Sequence, residues 1–324
     1  MQHVFKDRSL VGAMSQRPWI VLVEGHGPPA GDFGDISFLP YSPDARGDGY
    51  LAFSTPTPGL WDFPGLRAWY WSEPITFDRL SVRRVVRYLR QRKHFAFLHH
   101  SESADVVMPV LTHYTLQPQF REPGARLNAA VAVVSNHGGV FWRFKRGERL
   151  RNRFVLCEEV ELFGSELAWS AFRRWPWSSA GTPKNYRGAW TASYLEGEHI
   201  ARLSKYQAAV CLENCVIPNY FSEKFVNAVR AGCVPIYAAH SSVRTTYLDG
   251  ALFVDPANHN FDPVATVQAA LALDREAVAK QNFRWLESPA VQSTGDQAIW
   301  RRIAEYFSAQ FRSGTQQAQI KQVP

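Results

Sequence analysis

Cysteine is scarce in this sequence, which has four among 324 residues. No two cysteines form a C-x-x-C pair, and none stands with histidine at the spacing of a zinc site. This excludes a small disulfide scaffold and gives no sign of a structural metal site. We expect four reduced thiols in the protein core: Cys157, Cys211, Cys215 and Cys233.

The sequence also has no long apolar run. No stretch approaches the roughly 20 apolar residues of a membrane-spanning helix, and the basic N-terminal residues are not followed by the apolar segment of a signal peptide. The glycine-rich motifs G-x-G-x-x-G and G-x-x-x-x-G-K-[ST] are missing too, which argues against dinucleotide oxidoreductases and P-loop NTPases. We expect a cytoplasmic protein that belongs to neither enzyme class.

Acidic residues are in the minority, with 29 Asp and Glu against 36 Lys and Arg, for a net charge of +7. This excess favours an anionic partner, such as a phosphate group, a nucleic acid or an acidic membrane surface. Hydrophobic residues make up 46% of the chain and charged residues 20%, so the chain can bury a core. Its length fits two domains of ordinary size.

The first half of the chain has few regular patterns. Residues 17–25 form a short apolar run that predicts a buried strand, and residues 66–74 predict a second one that ends at Pro74. Between them, residues 25–64 are rich in Gly and Pro, so we expect loops there. From Ser81 onward, apolar residues at helical spacing predict an amphipathic helix with Ser81 as its N-cap.

The second half alternates between strand and helix patterns. Residues 129–136 predict a parallel strand that is buried on both faces. Helix, strand, helix and strand patterns follow, and then a helix that starts near Ser222 and ends at Gly232, before the strand CVPIYA. This strand–helix–strand order predicts a right-handed βαβ unit. We therefore expect two α/β domains with a seam near residue 128.

Ligands of open parallel sheets bind beyond the carboxyl ends of the strands. In this chain that rule selects residues 213–224, which lead directly into a helix N-terminus. Unpaired N–H groups at a helix start attract anions, and Lys224 adds a full positive charge, so a phosphate-bearing ligand would fit. The alternative is structural, with Glu223 as a partner of the helix dipole and Lys224 as a solvated surface residue.

Residues 211–237, CLENCVIPNYFSEKFVNAVRAGCVPIY, resemble the signature of the α-1,3/4-fucosyltransferases of glycosyltransferase family 10. The segment departs from the family pattern at Asn219, Phe221 and Ser222. Two shorter segments are also similar to the family, WYWSEP and VVSNHGG…RLRNRF. The resemblance covers about residues 66–75 and 129–260, and the segments stand in the family's order.

The resemblance implies an α/β fold of the GT-B type, with two Rossmann-like domains that face a cleft. Residues 1–128 would bind the acceptor and residues 129–290 the donor, while residues 291–324 would form a C-terminal helix and tail that could pack back on the N-terminal domain. The implied donor is GDP-β-L-fucose, transferred with inversion to a hydroxyl of a glycan, a GlcNAc-containing oligosaccharide or a lipopolysaccharide. An α-1,3-fucosyltransferase of the bacterial type is the expectation.

The resemblance also suggests the site residues. Glu73 matches the family's acceptor-domain glutamate and would be the general base; a surface carboxylate is the alternative. Arg151 would bind the diphosphate and Lys224 would be the second phosphate cation. Glu213 could either form structural hydrogen bonds or contact the ligand, and the sequence favours neither role. The expected donor site comprises Asn136, Arg151, Glu213, Asn214, Tyr220, Glu223 and Lys224.

The sequence contains no D-x-D triplet, the usual mark of a glycosyltransferase that binds its nucleotide through a metal. We therefore expect no required metal or cofactor, although a divalent ion could stimulate turnover. A transferase with another nucleotide sugar stays open. So does a protein that binds nucleic acid or an anionic surface, although we expect membrane contact at the inner membrane rather than nucleic acid. The residues behind this alternative are Arg79, Arg83, Arg84, Arg87, Arg90, Arg92 and Lys93.

Overall fold

The computed structural model describes residues 17–25, 32–54, 56–72, 79–91, 94–112, 127–134, 146–164, 183–192, 197–213 and 215–320. The chain divides into two units, one formed by residues 1–69 with 303–324 and the other by residues 70–302. Within the described ranges, no helix is both long and apolar enough to cross a membrane.

The first sheet has the strand order β2-β3-β1-β4-β5-β6-β7. Strand β1 pairs in parallel with β3 and β4, β2 pairs antiparallel with β3, and β6 pairs in parallel with β7. The three central residues of β1 are buried, as expected for a parallel strand that is covered on both faces. The strands are β1 (Trp19–Glu24), β2 (Asp32–Phe33), β3 (Ile36–Pro40), β4 (Gly49–Phe53), β5 (Leu66–Trp71), β6 (Phe95–His99) and β7 (Val106–Val107).

The prediction that residues 25–64 form only loops is wrong. They contain β2, β3, β4 and the short helix α1 (Gly59–Asp62). Gly49 weakens the strand pattern of β4 in the sequence, but the packing of the folded chain explains why glycine occupies this position. A Cβ at this position would lie 2.8 Å from the ring of Phe307, so only glycine lets the C-terminal helix approach the strand.

Helix α2 (Arg79–Arg90) confirms the predicted amphipathic pattern but not its start. The helix begins two residues before Ser81, so Ser81 lies inside it and is not the N-cap. Val82, Val86 and Leu89 are buried at helical spacing. The side chains of four arginines, 83, 84, 87 and 90, are exposed on the other face.

The second sheet is built from parallel pairs in the order β10-β9-β8-β11-β12. Val131 faces one core cluster and Ala130 and Ala132 face the other, so helices cover both sides of the sheet. The strands are β8 (Leu127–Val134), β9 (Val160–Gly164), β10 (Tyr186–Ala189), β11 (Tyr206–Val210) and β12 (Val234–Ile236).

Between residues 127 and 236, helices and strands alternate as predicted, except that strand β10 was not predicted. The sequence made no prediction for the helices between residues 240 and 290. The predicted strand–helix–strand order is confirmed, because β11 and β12 are parallel and helix α5 (Glu223–Arg230) connects them. Gly232 has a φ of +65° at the end of α5, which explains why glycine stops this helix. The helices are α3 (Arg146–Val155), α4 (Gly197–Leu203), α5 (Glu223–Arg230), α6 (Ser241–Thr246), α7 (Pro263–Ala272), α8 (Arg275–Leu286) and α9 (Pro289–Gln292).

The C-terminal helix α10 (Asp296–Ile320) ends in the first unit. There the ring of Phe311 lies 5.2 Å from that of Trp19. The carboxylate of Asp35 accepts hydrogen bonds from Ser308 and Arg312, so both apolar and polar contacts hold the helix within this unit. The functional boundaries at residues 128 and 290 stay a prediction.

All four cysteines are free and buried, which confirms the prediction of reduced core thiols. Burial, with the nearby charge of Glu213, raises the pKa of Cys211 well above its ordinary value. Such a thiol stays protonated at neutral pH and is a poor nucleophile or metal ligand.

Candidate functional site

A buried glutamate organises the segment that the sequence selects as the ligand site. Glu213 follows β11, and its side chain is 2% exposed. Its carboxylate accepts hydrogen bonds from the Ser222 backbone N–H at 2.9 Å, the Ser222 hydroxyl at 2.7 Å and the Tyr237 hydroxyl at 3.1 Å. A buried carboxylate needs such donors, because burial without them would be costly. Glu213 therefore ties the loop after β11 to both α5 and β12.

The hydroxyl of Ser222 serves this carboxylate rather than the helix. Ser222 occupies the N-cap position of α5, as predicted, but its side chain makes no capping hydrogen bond. It donates to Glu213 instead. A buried carboxylate needs hydrogen-bond donors, whereas the N–H groups at a helix start can find other acceptors. The Ser222 hydroxyl therefore donates to Glu213.

Lys224 lies between two carboxylates. Its ammonium is 3.3 Å from Glu213, 3.4 Å from Glu223 and 3.1 Å from the Ser222 hydroxyl, and its side chain is 28% exposed. The two glutamates and the lysine together carry one net negative charge. The start of α5 is thus less cationic than the sequence suggests, and a diphosphate bound there would need a further positive group.

The structure places Arg151 on α3, with its side chain partly buried. Helix α3 packs into the core cluster on one face of the second sheet, and α5 packs into the cluster on the other face. Both helices follow strands of the same parallel sheet, so both begin toward its carboxyl edge. Arg151 and Lys224 therefore belong to helices that flank this edge from opposite sides.

Tyr220 is nearly buried, at 5% exposed, which leaves little of its ring for a ligand in this conformation. It packs with Val110, Cys215 and Ile217, and its ring centre lies 5.3 Å from that of His100. The residue before it, Asn219, has a φ of +59°. Asparagine tolerates this left-handed conformation better than most residues, which accounts for its place in the turn.

Sequence reasoning missed the histidine and tryptophan neighbours of this segment. Asn219 donates through its backbone N–H to the Ser242 hydroxyl at 3.0 Å and through its amide to the His100 carbonyl at 3.5 Å. On the side of α4, the Trp190 indole donates to His199 Nδ1 at 3.0 Å, and the charge of Glu223 acts on this histidine. None of these residues stands in a recognisable motif, so no sequence signal could have found them.

Three expected site residues, Glu73, Asn136 and Asn214, lie outside the described residues. Of the others, the structure brings Lys224 into contact with both Glu213 and Glu223. Among the described residues, no group of three or more His, Cys, Asp or Glu side chains could hold a metal ion.

Acid pH should destabilise the protein through two buried histidines. Burial lowers the pKa of His100 to about 3 and that of His199 to about 4. The ordinary pKa in an unfolded chain is about 6.5. Both imidazoles are neutral in the fold, so their stabilisation is complete above pH 6.5 and is lost as the pH falls toward these values. At pH 5 we expect a loss of roughly 2 kcal/mol for each histidine.

Urea unfolding of the wild type and of His100→Phe at pH 7 and pH 5 measures this effect. Carboxylates also titrate near pH 5, so the comparison between the two proteins isolates His100. The variant should lose about 2 kcal/mol less between the two pH values than the wild type does. Equal losses in both proteins would show that His100 does not contribute.

No protein-family model matches this sequence, and no curated protein matches it. Solved structures do. An α-glucosyltransferase in complex with UDP-glucose and DNA is 10% identical, with a TM-score of 0.50, and the match covers 81% of this chain and 80% of that chain. An α1,3-fucosyltransferase with GDP is 14% identical, with a TM-score of 0.42 and coverage of 86% and 92%. An α,α-trehalose 6-phosphate synthase from Burkholderia multivorans is 14% identical, with a TM-score of 0.46 and coverage of 85% and 72%.

At these identities the likeness shows the fold. The TM-score of 0.50 with the α-glucosyltransferase agrees with the two sheets reported above, whose described strand pairs are parallel apart from β2 with β3. The prediction of an α/β fold of the GT-B type, built from two Rossmann-like sheets, is confirmed.

Proposed function

We propose that this protein is an inverting glycosyltransferase that moves L-fucose from GDP-β-L-fucose to a hydroxyl of a glycan. One observation carries the proposal. Residues 211–237, which resemble the fucosyltransferase signature, form a loop, a helix and a strand at the carboxyl edge of a parallel sheet. This is where α/β folds bind their ligands. The Glu213 hydrogen bonds hold that loop in one conformation, which suits a preorganised site.

The reaction needs three groups. A base takes the proton of the acceptor hydroxyl as its oxygen attacks C1 of the sugar, while the bond from C1 to the diphosphate breaks and GDP leaves. In the proposal Glu73 is this base. Positive groups stabilise the departing diphosphate, and Arg151 and Lys224 supply them. No step requires a metal ion, although a divalent cation could assist GDP release.

The carboxylates around Lys224 give it a defined place in this scheme. Glu213 and Glu223 hold the ammonium near the first turn of α5, so it is already oriented when the diphosphate arrives. They also lower the net attraction for an anion, which makes Arg151 the more important cation. The hydroxyls of the nucleotide sugar can bond to Glu223, whose side chain is 27% exposed.

GDP should stabilise the protein against thermal unfolding, and UDP and ADP should not. A ligand that binds only the native state adds about 2.7 kcal/mol at a hundredfold excess over its Kd. Thermal-shift measurements with GDP, GDP-fucose, UDP and ADP test this. A rise in Tm with UDP or ADP but not with GDP would identify a transferase of another nucleotide sugar. No shift with any of the four at millimolar concentration would contradict the proposal as a whole.

Arg151→Ala and Lys224→Ala should each weaken GDP binding by about 1.5–3 kcal/mol, because each removes a charged hydrogen bond to the diphosphate. In Lys224→Ala the charges of Glu213 and Glu223 also stay behind unbalanced. Isothermal titration with GDP measures both. Arg153→Ala is the matched control, since Arg153 is exposed on the same helix. If Arg153→Ala weakens binding and Arg151→Ala does not, the diphosphate contact belongs to Arg153.

We propose that the acceptor is a glycan and that the protein makes peripheral contact with an anionic membrane. The exposed arginines of α2 support the membrane contact, because 83, 84 and 87 add positive charge to one face of the helix.

A further inference from the structure

His100 is an anomaly in the described part of the chain. It directly follows β6 and is 2% exposed. Both of its ring nitrogens are buried, and neither has a hydrogen-bond partner there. Buried polar groups in native proteins are nearly always paired, so an imidazole with two unpaired nitrogens calls for an explanation.

The neighbouring His99 has a structural role that explains its burial. His99 is also buried, but its Nδ1 lies 3.0 Å from the backbone N–H of Ser101 and 2.8 Å from the Ser101 hydroxyl. This ring fixes the turn after β6. The ring of His100 packs against that of His99, tilted by 37° with ring centres 3.9 Å apart, and its nitrogens have no such hydrogen bond in the described part of the chain. The turn is therefore already held without the nitrogens of His100.

The protonation state of the His100 ring indicates which chemical class of ligand could bind to it. Burial, with the neighbouring His99, lowers the pKa of His100 to about 3, so the ring is neutral at physiological pH. A neutral imidazole offers one N–H donor and one acceptor nitrogen. A phosphate oxygen would use only the donor, whereas hydroxyl groups both donate and accept. Hydroxyl-bearing ligands match both nitrogens.

The position of the His100 ring indicates where such a ligand would bind. Tyr220 covers His100 at a ring distance of 5.3 Å, and the amide of Asn219 donates to the His100 carbonyl. These two residues belong to the loop that lies at the carboxyl edge of the second sheet. A turn of the Tyr220 side chain would expose the imidazole to a ligand held by this loop.

We propose that His100 is a sugar-binding residue, whose neutral imidazole hydrogen-bonds a hydroxyl of the transferred sugar or of the acceptor glycan. This inference rests on the proposed function and extends it to a residue outside the segments that resemble the family. Tyr220 then acts as the cover of His100, closed over the ring until the sugar arrives.

Three proteins test the proposal: the wild type, His100→Phe, which keeps a ring but has no polar atom, and His100→Gln, which keeps one donor and one acceptor. His259→Gln, distant in sequence and partly exposed, is the control. We would measure the Kd for GDP, the Kd for GDP-fucose and the KM for N-acetyllactosamine. His100→Phe should keep the GDP affinity within twofold and lose about tenfold in one of the sugar constants, since neutral hydrogen bonds are lost.

Which constant changes identifies the sugar. A weaker Kd for GDP-fucose assigns the contact to the transferred sugar, and a higher KM for N-acetyllactosamine assigns it to the acceptor. In either case His100→Gln should lose threefold or less. The proposal is overturned if all constants of His100→Phe stay within twofold, or if GDP affinity falls together with the others, which indicates a structural role.

A spectroscopic measurement on the wild type covers the case in which His100→Phe does not fold. The ring nitrogen signals of His100 in ¹⁵N NMR, assigned by their loss in His100→Gln, should shift with GDP-fucose or N-acetyllactosamine and not with GDP. Unmoved signals with a wild type that binds GDP-fucose would overturn the role of His100 alone. A wild type that binds neither GDP nor GDP-fucose would overturn the proposed function and this inference together.

Discussion

Glu73→Gln is expected to lower kcat by about 10²–10⁴-fold, the usual contribution of a general base. The substitution keeps the shape of the side chain but removes the proton acceptor for the acceptor hydroxyl. GDP affinity should stay within twofold of the wild type, because the base does not contact the nucleotide in the proposed scheme. Steady-state kinetics with GDP-fucose and N-acetyllactosamine, with GDP titration alongside, measure the two effects separately.

Glu102→Gln is the matched control for this prediction, since Glu102 is an exposed carboxylate in the same unit. It should leave kcat unchanged. If Glu73→Gln retains more than about a tenth of the wild-type kcat, Glu73 is not the base. The acidic residues of the segment 25–64 would then be tested, with Asp32 and Asp62 before Asp35, whose carboxylate already binds Ser308 and Arg312.

Glu213→Leu should destabilise the protein by about 3–5 kcal/mol, the cost of removing one partner from a buried charged network. The substitution leaves the Tyr237 hydroxyl and the Ser222 N–H without this acceptor and removes one of the two carboxylates that contact Lys224. Burial and the charge of Glu213 also raise the pKa of Tyr237 well above its ordinary value, so this hydroxyl remains a donor at all accessible pH values. Urea unfolding measures the loss.

The control for Glu213 is Glu158→Gln. Glu158 also pairs with a lysine, Lys184 at 3.1 Å, but its side chain is 69% exposed. A surface pair contributes about 0–1 kcal/mol, so this variant should be close to the wild type. Tyr237→Phe in a double-mutant cycle with Glu213→Leu would show coupling between the two residues. A loss below 1 kcal/mol for Glu213→Leu would show that the network is not a stabilising element.

Much of the fold could be predicted because its signals are local. The apolar run of β8 and the helix from Ser222 to Gly232 are visible in windows of about ten residues. Strands β3 and β4 were missed because their five-residue patterns stand among glycines and prolines. The close approach of Phe307 requires a glycine at position 49 of β4, and these two residues are far apart in the sequence.

The candidate site was predictable in place but not in arrangement. The sequence by itself determined that residues 213–224 follow a strand and enter a helix, because strand, loop and helix patterns are properties of neighbouring residues. Only the tertiary structure decided that Tyr237 donates a hydrogen bond to Glu213, that Lys224 lies between two carboxylates and that Tyr220 covers His100. The His100 carbonyl and the Asn219 amide are 119 residues apart in sequence. Burial and the choice of hydrogen-bond partner depend on such distant contacts, which exist only once the chain is folded.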